Sequence, residues 1–345
     1  MSDIDHVDTL GMFAAAASLP DQVEAAVEYG RGVVGLPDRS GIENVVVLGM
    51  GGSGIAGDVL LSTAGPFMPV PVVVVKSYVL PAFVSDATLV FAVSFSGDTE
   101  ETVEAASEAA IQGARVVAVT RGGELGRRAE AWGAPLVRIP DGIPQPRAGL
   151  GALSIPPLVV LEEMGLFPGA SKWIAEAVVQ LRARAAQLAK PGNIAEQLAK
   201  QIDRTIPLVY GGGSIATTAA LRWKTQFNEN AKIPAFWATQ PELCHNEVAG
   251  WGQHGDLTRQ AVTLVALRHD NEHPQIHRRF ELVYELMDEV VASIEEVRAE
   301  GEGAVAQLFD LVMLGDFTSL HLARRLGVDP GPVPALDFVK EGLAT

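Results

Sequence analysis

The sequence holds a single cysteine, Cys244, among 345 residues. That excludes a disulfide framework and any zinc site of the paired CxxC type. Basic residues are scarce as well: 26 Lys and Arg stand against 42 Asp and Glu, a formal net charge of −16. The few cations are scattered, so no basic stripe offsets repulsion from a phosphate backbone, and a nucleic-acid partner is not expected. No apolar run approaches the roughly 18 residues of a membrane span, and the valines at 72–75 read as a short buried strand. The first residues, Met1-Ser-Asp-Ile-Asp-His-Val-Asp8, are acidic where a secretory signal would be basic. What the chain has in quantity is apolar side chains, 48% of the total, and 35 glycines. Its length accommodates two domains of roughly 100–200 residues each. A soluble, cytoplasmic α/β protein is expected.

Short β-branched runs alternate with longer helical stretches, the pattern of a parallel sheet covered by helices on both faces. Strands are expected at 44–48, 71–76, 89–93, 114–120 and 135–139, with helices at 54–62, 99–112 and 124–131. Together they make one doubly wound domain, 35–140, preceded by a helical segment, 1–34. Pro140–Arg147 contains three prolines in eight residues and reads as a linker or site-lining loop. It opens a region, 141–203, that is otherwise Ala/Leu/Gln-rich and helical, with a break at Pro191-Gly192 and Asn193 as an N-cap. A second α/β block, 204–300, should hold strands at 206–210, 235–239 and 260–268, a helix at 214–231 and a long helix at about 276–300. The C-terminal part, 301–345, should add helices at about 304–326 and 335–343. The acidic run Glu281–Glu302 carries Leu282, Val283, Leu286, Val290 and Ile294 at helical spacing, as an amphipathic helix would. Asn44-Val-Val-Val-Leu-Gly-Met-Gly-Gly-Ser53 and Ile206-Pro-Leu-Val-Tyr-Gly-Gly-Gly-Ser214 echo each other, so a duplicated α/β unit is the economical reading.

Gly49-Met-Gly51-Gly-Ser-Gly54 follows a strand and matches G-x-G-x-x-G. Dinucleotide binding also needs a carboxylate at the end of the second strand, to hold the ribose hydroxyls. That strand ends Val75-Lys76-Ser77-Tyr78, with no carboxylate. A plain strand-to-helix turn, or a phosphate or sugar site at a helix N-terminus, remains. Ser94-Phe-Ser96-Gly-Asp-Thr99 favours the phosphate. Three hydroxyls, Ser94, Ser96 and Thr99, and the bare backbone of Gly97 surround one helix N-terminus, a nest for a phosphate monoester built without a fixed cation. An ordinary N-cap needs one hydroxyl.

Ser-x-Ser-Gly-x-Thr after a strand, with the glycine loop upstream, resembles the sugar isomerase (SIS) fold family. Further segments resemble the bifunctional phosphoglucose/phosphomannose isomerases: Gln145-Pro-Arg147, Arg222-Trp-Lys-Thr-Gln-Phe-Asn-Glu229-Asn-Ala-Lys-Ile-Pro234, Pro241-Glu-Leu-Cys-His245-Asn-Glu-Val, and Gly327-Val-Asp-Pro-Gly-Pro with Lys340. They run in that family's order over nearly the whole chain. The resemblance implies two doubly wound, flavodoxin-like SIS subdomains with flanking helices. It implies a metal-independent, cofactor-free isomerase that interconverts glucose 6-phosphate, and mannose 6-phosphate, with fructose 6-phosphate through an enediolate. Glu229 would then transfer the proton, His245 and Lys340 would assist ring opening, and Arg147 would steady the enediolate. Gly52, Ser53, Ser94, Ser96, Gly97 and Thr99 would hold the phosphate. A homodimer is implied, with His245 reaching in from the partner subunit.

The chemistry of these residues suits such a reaction, which needs a carboxylate base, a proton shuttle for ring opening and a cation beside the developing oxyanion. Glu229 lies at the carboxyl end of the expected 214–231 helix, a place that suits a base. Taken singly, each residue also fits a plainer reading: Glu229 a solvated helix end, His245 a hydrogen-bonded structural histidine, Arg147 a surface arginine. Isomerisation of another phosphosugar, or sugar-phosphate sensing without catalysis, are the alternative functions. Three positions depart from the family pattern. Asp98 stands in place of asparagine and would repel a phosphate unless turned outward or paired. Cys244 replaces asparagine before the histidine, and Gly331 stands where threonine is expected. His269, His273 and His277 fall at i, i+4 and i+8, but Pro274 interrupts the spacing and a metal site is not expected.

Overall fold

Runs of valine are stiff at χ1 and favour extended backbone, and strands buried on both faces show no polar alternation. In the computed structural model, which describes residues 7–343, such runs form two parallel sheets. The acidic residues before Val7 that argue against a signal sequence lie outside the described residues.

Helices α1 (Met12–Ala17) and α2 (Leu19–Arg31) precede the first series: β1 (Asn44–Leu48), α3 (Gly51–Thr63), β2 (Val72–Val75), β3 (Thr88–Ser94), α4 (Glu100–Ile111), β4 (Arg115–Thr120), α5 (Gly123–Trp132) and β5 (Leu136–Arg138). Three helices follow, α6 (Leu150–Glu163), α7 (Ala170–Leu188) and α8 (Ile194–Ile202). The second series is β6 (Ile206–Gly212), α9 (Gly213–Gln226), β7 (Phe236–Gln240), α10 (Gly255–Ala261), β8 (Val262–Arg268), α11 (Pro274–Met287) and β9 (Ser293–Arg298). It is followed by α12 (Gly303–Leu326) and α13 (Pro334–Leu343).

The chain divides into two compact units: Ser18–Arg182 with Gly301–Ala306, and Ala183–Glu300 with the segments before Ser18 and after Ala306. In the first unit the strand order is β2-β1-β3-β4-β5, all parallel, the flavodoxin-like doubly wound order. Every residue of β3 is buried, as a central strand between two helical layers must be. One sheet face packs Val46, Leu48, Val90 and Ala92 against the alanines of α4 and against Leu125 and Ala129 of α5. In the second unit β7-β6-β8-β9 repeats the same winding with four parallel strands, so the doubled unit is present. Leu208, Tyr210, Leu264 and Ala266 there pack against Phe280, Val283 and Met287 of α11. Asn193 caps α8 as expected, its Oδ1 accepting the Glu196 N–H at 3.1 Å.

Three expectations need correction. The helix expected at about 276–300 ends at Met287, and Ser293–Arg298 is instead edge strand β9, with Ile294 opposite Leu264 and Val297 opposite Leu267. An edge strand tolerates charges on its free side, and buried Arg268 tethers Glu296 at 2.9 Å. Residues 260–261 close α10 rather than open β8. The helix expected at 214–231 is regular only to Gln226 and finishes in a π turn, Phe227–Ala231. Helix α12 is long and apolar enough to cross a membrane by length and composition, yet 94% of its apolar window is buried inside the protein. It carries Asp310 and Asp316, which pair with the buried arginines Arg184 (2.7 Å) and Arg222 (2.9 Å), so it is a core helix.

Candidate active site

In an open parallel sheet, ligands sit beyond the carboxyl ends of the strands, where the winding reverses. In the first unit that point lies between β1 and β3, where the glycine loop and the Ser94–Thr99 loop emerge. Their side chains form one network. Ser53 Oγ accepts the Phe95 N–H at 3.1 Å, and Ser94 Oγ accepts the Gly97 N–H at 3.1 Å. Ser94 in turn donates to Thr99 Oγ1 at 3.0 Å, and Ser96 Oγ accepts the Asp98 N–H at 3.1 Å. In these bonds Ser53, Ser96 and Thr99 act as acceptors, so each keeps a hydroxyl hydrogen for a ligand, whereas that of Ser94 is held by Thr99. No side chain caps α3 or α4, which leaves first-turn amides and the positive ends of both helix dipoles at the same place. Gly97 turns the loop at φ +84°.

Pro140–Arg147 ends in a 3₁₀ turn, Pro146–Gly149, that brings Arg147 to this loop cluster. A Cβ at Gly52 would lie 3.3 Å from the Arg147 Cα. Arg147 is 3% exposed, which removes the surface-arginine reading. Gly52, Ser53, Ser94, Ser96, Gly97, Thr99 and Arg147 are therefore gathered at one sheet edge. Lys76, at the end of β2, pairs with Asp58, so a cation stands where a dinucleotide fold keeps a carboxylate.

In the second unit Glu229 rides on the π turn, half-buried, between buried Phe227 and Asn230. Such turns are rare and recur at functional sites. Local bonds fix its shape. Asn230 Nδ2 donates to Ser319 Oγ at 2.9 Å, and Ser319 Oγ donates to the Asp316 carbonyl at 2.7 Å. Asn228 Nδ2 donates to the Ile233 carbonyl at 2.9 Å, and Lys232, left-handed at φ +60°, donates to the Glu229 carbonyl. About two turns back, Arg222 grips Asp316 with two N–H groups at 3.1 and 2.9 Å. Arg222 and Asn230 thus form a polar seam against α12, and Glu229 sits on a rigid support rather than a solvated helix end.

His245 closes a 3₁₀ turn, Glu242–His245, with its ring exposed. Beside it, Glu247 accepts the buried Tyr210 hydroxyl, which also takes the Trp251 indole N–H at 3.2 Å. Burial, reinforced by Glu247, pushes the Tyr210 phenol well above its usual range. Lys340 lies on α13, none of whose described residues is buried, and makes no ion pair among them.

Two family descriptions match the chain: a SIS domain over residues 40–132, and the bacterial phospho-glucose isomerase C-terminal SIS domain over residues 192–343. A bifunctional phosphoglucose/phosphomannose isomerase of Caldicellulosiruptor bescii is 35% identical over 338 residues, 96% of this chain and 99% of that protein. The chain belongs to the bifunctional phosphoglucose/phosphomannose isomerase family. The enzyme of the same name from Thermoplasma acidophilum is also 35% identical, over 87% of this chain and 90% of its own. Among solved structures, a hypothetical protein of Thermus thermophilus shares the fold with a TM-score of 0.74 at 16% identity, covering 97% of this chain and 90% of that one.

The departures from the family pattern have local explanations. Asp98 is paired: its Oδ1 accepts the Glu124 N–H at 2.9 Å, capping the first turn of α5. Asp98→Ala should therefore cost about 1 kcal/mol, while Asp98→Asn, which keeps an acceptor oxygen, should cost less than about 0.5 kcal/mol. Asp98→Asn should also bind inorganic phosphate a few-fold more tightly, since a negative charge beside the loop is removed. Chemical denaturation and phosphate titration of both variants check this. Cys244 donates its thiol hydrogen to Gln240 Oε1 at 3.0 Å. At Gly331 a Cβ would lie 2.8 Å from Leu10 Cγ, so threonine does not fit unless Leu10 moves.

The three histidines have structural roles. His269 Nδ1 accepts the Asn271 N–H at 3.2 Å and Nε2 donates to the Gly212 carbonyl at 2.8 Å, and burial holds its basicity down. His273 caps α11 through the Gln275 N–H at 3.1 Å, and His277 Nδ1 accepts from Arg268 at 2.8 Å. A cation also stands beside the Ser94–Thr99 loop: the Arg121 guanidinium lies 4.5 Å over the Phe95 ring. Only the pairing of β4 with β3, Thr120 opposite Ser94, brings residue 121 to residue 95.

Proposed function

We propose that this protein interconverts glucose 6-phosphate and mannose 6-phosphate with fructose 6-phosphate, moving one proton between C1 and C2 through an enediolate. The observation that carries the reading is the convergence of Gly52-Ser53, Ser94–Thr99 and Arg147 at one sheet edge. Hydroxyls and first-turn amides suit a phosphate dianion. Family membership supports the reaction.

In this reading residues 35–140 carry the phosphate-binding subdomain, 204–300 the subdomain bearing the base, and 141–203 and 301–345 the connecting and terminal helices. Ser53, Ser96 and Thr99 donate to the phosphate, Ser94 and Gly97 shape the loop, and Gly52 leaves room for Arg147. Glu229 takes the proton from C2 of the aldose and returns it to C1. Arg147 offsets the charge that grows on the enediolate oxygen. His245 and Lys340 move the proton that opens the ring, His245 of the partner subunit serving each site of a cytoplasmic homodimer. Side chains alone conduct every proton transfer in this scheme.

The test is to mix each aldose phosphate with purified protein and EDTA and to follow fructose 6-phosphate. Turnover of both is expected. No turnover, with thermal stabilisation by the sugar phosphates, would make the protein a non-catalytic sensor. Turnover of a different phosphosugar in a substrate panel would reassign the substrate.

A further inference from the structure

Arg121 is exposed, immediately after β4, in a molecule where most arginines are tied to carboxylates. Among the described residues it has no carboxylate within ion-pair distance. Two carboxylates of the adjoining turns are engaged elsewhere: Asp98 caps α5, and Glu124 pairs with Arg127 and Arg128. What holds Arg121 is the phosphate loop itself. Its backbone N–H donates to the Phe95 carbonyl at 3.2 Å, and its guanidinium centre lies 4.5 Å from the centroid of the Phe95 ring.

Phe95 is a firm platform. It is 5% exposed, its N–H is held by Ser53 Oγ at 3.1 Å, and its ring edge lies 3.1 Å from where a Cβ at Gly149 would stand. The turn after Arg121 is pinned as well, the Leu125 N–H donating to the Gly97 carbonyl at 2.8 Å. Residues 121–125 and 95–97 therefore hold together as one surface. Stacking uses the face of a guanidinium and leaves its five N–H donors in the plane, where a phosphate can take two of them. A stacked arginine also loses less side-chain freedom on binding than a free one.

We propose that Arg121 is a substrate-binding residue, which from its platform on Phe95 supplies positive charge to the phosphate monoester dianion held by the Ser94–Thr99 loop. This rests on the phosphate reading of that loop. It also addresses how a chain of net charge −16 attracts a dianion. The long-range field is repulsive, and a cation fixed at the loop opposes it locally.

The experiment compares the unsubstituted protein with Arg121→Gln and Arg121→Lys. The dissociation constant for inorganic phosphate is measured by calorimetry, and kcat and KM are measured with glucose 6-phosphate. For Arg121→Gln, affinity for phosphate should fall about tenfold and KM should rise in parallel, with kcat within about twofold, the size of one exposed charge-assisted bond. Arg121→Lys keeps the charge without the planar stack and should fall between. The melting temperature should fall by no more than a few degrees, since an exposed cation–π contact is weak. Phosphate affinity within twofold of the unsubstituted protein in Arg121→Gln overturns the proposal, as does an unsubstituted protein that binds no phosphate. A protein that binds phosphate but turns over neither hexose phosphate refutes the isomerase reading, and the calorimetric comparison still decides the role of Arg121.

Discussion

Glu229→Gln is expected to fold, to bind inorganic phosphate as tightly as the unsubstituted protein, and to lose about 10³-fold in kcat. Glutamine fills the same volume and keeps the hydrogen-bonding reach of the side chain, but it cannot accept a proton. General-base catalysis is worth roughly 10²–10⁴-fold, and a rigidly placed base does not fall at the low end of that range. Glu229 is so placed: the Asn230–Ser319 bond and the Arg222–Asp316 pair lock both sides of its turn. In the proposed scheme residues 52–53 and 94–99 hold the phosphate and Glu229 does not, so phosphate affinity should not follow kcat. Two measurements check this, the rate of fructose 6-phosphate formation and the exchange of the C2 proton with deuterated solvent. Exchange that persists undiminished in Glu229→Gln would assign the base to another residue.

The turn at Ser94–Thr99 was legible in the sequence because its hydroxyls and glycine are close together. Ser94, Ser96, Gly97 and Thr99 lie within six residues, and the bonds among the loop's own residues span two to five positions. The strands of both sheets were legible for the same reason, since valine runs buried on both faces need no partner to be recognised. What escaped was decided by contacts distant in sequence. The π turn differs from an α-helix by one residue's slip, and it is held by Ser319, 89 residues from Asn230. Strand β9 reads as helix because Glu295, Glu296 and Arg298 break its alternation. Its place is set by the ladder to β8 and by buried Arg268, which also stacks on Phe280 at 4.3 Å. Asp98 looked hostile to phosphate until α5 supplied an amide for it, and Arg121 was one scattered cation until β4 paired with β3.

Gly97→Ala should be the most damaging single-methyl change in the first unit. The residue sits at φ +84°, and a Cβ there would lie 1.9 Å from the Gly122 carbonyl oxygen and 2.8 Å from Thr120 Oγ1. Neither neighbour is the end of a flexible side chain. Gly122 is backbone, and Thr120 Oγ1 already accepts the Gly122 N–H at 3.2 Å. To make room, the turn after β4 must move away, which breaks the 2.8 Å bond from Leu125 N–H to the Gly97 carbonyl and strains the 3.1 Å bond from Gly97 N–H to Ser94. Left-handed strain of about 1 kcal/mol and overpacking of about 1–3 kcal/mol give an expected loss of about 2–4 kcal/mol, read by chemical denaturation. Phosphate affinity should fall by about 100-fold or more, because the amides that face the anion are carried on the displaced backbone. Gly126→Ala is the matched control. It lies on α5, where a Cβ would meet only the Thr120 methyl at an ordinary 3.8 Å, and alanine there should be neutral or stabilising by up to about 1 kcal/mol. If Gly97→Ala kept its phosphate affinity while losing stability, the anion would have to be held by something other than this loop, and Ser94, Ser96 and Thr99 would be structural hydroxyls alone.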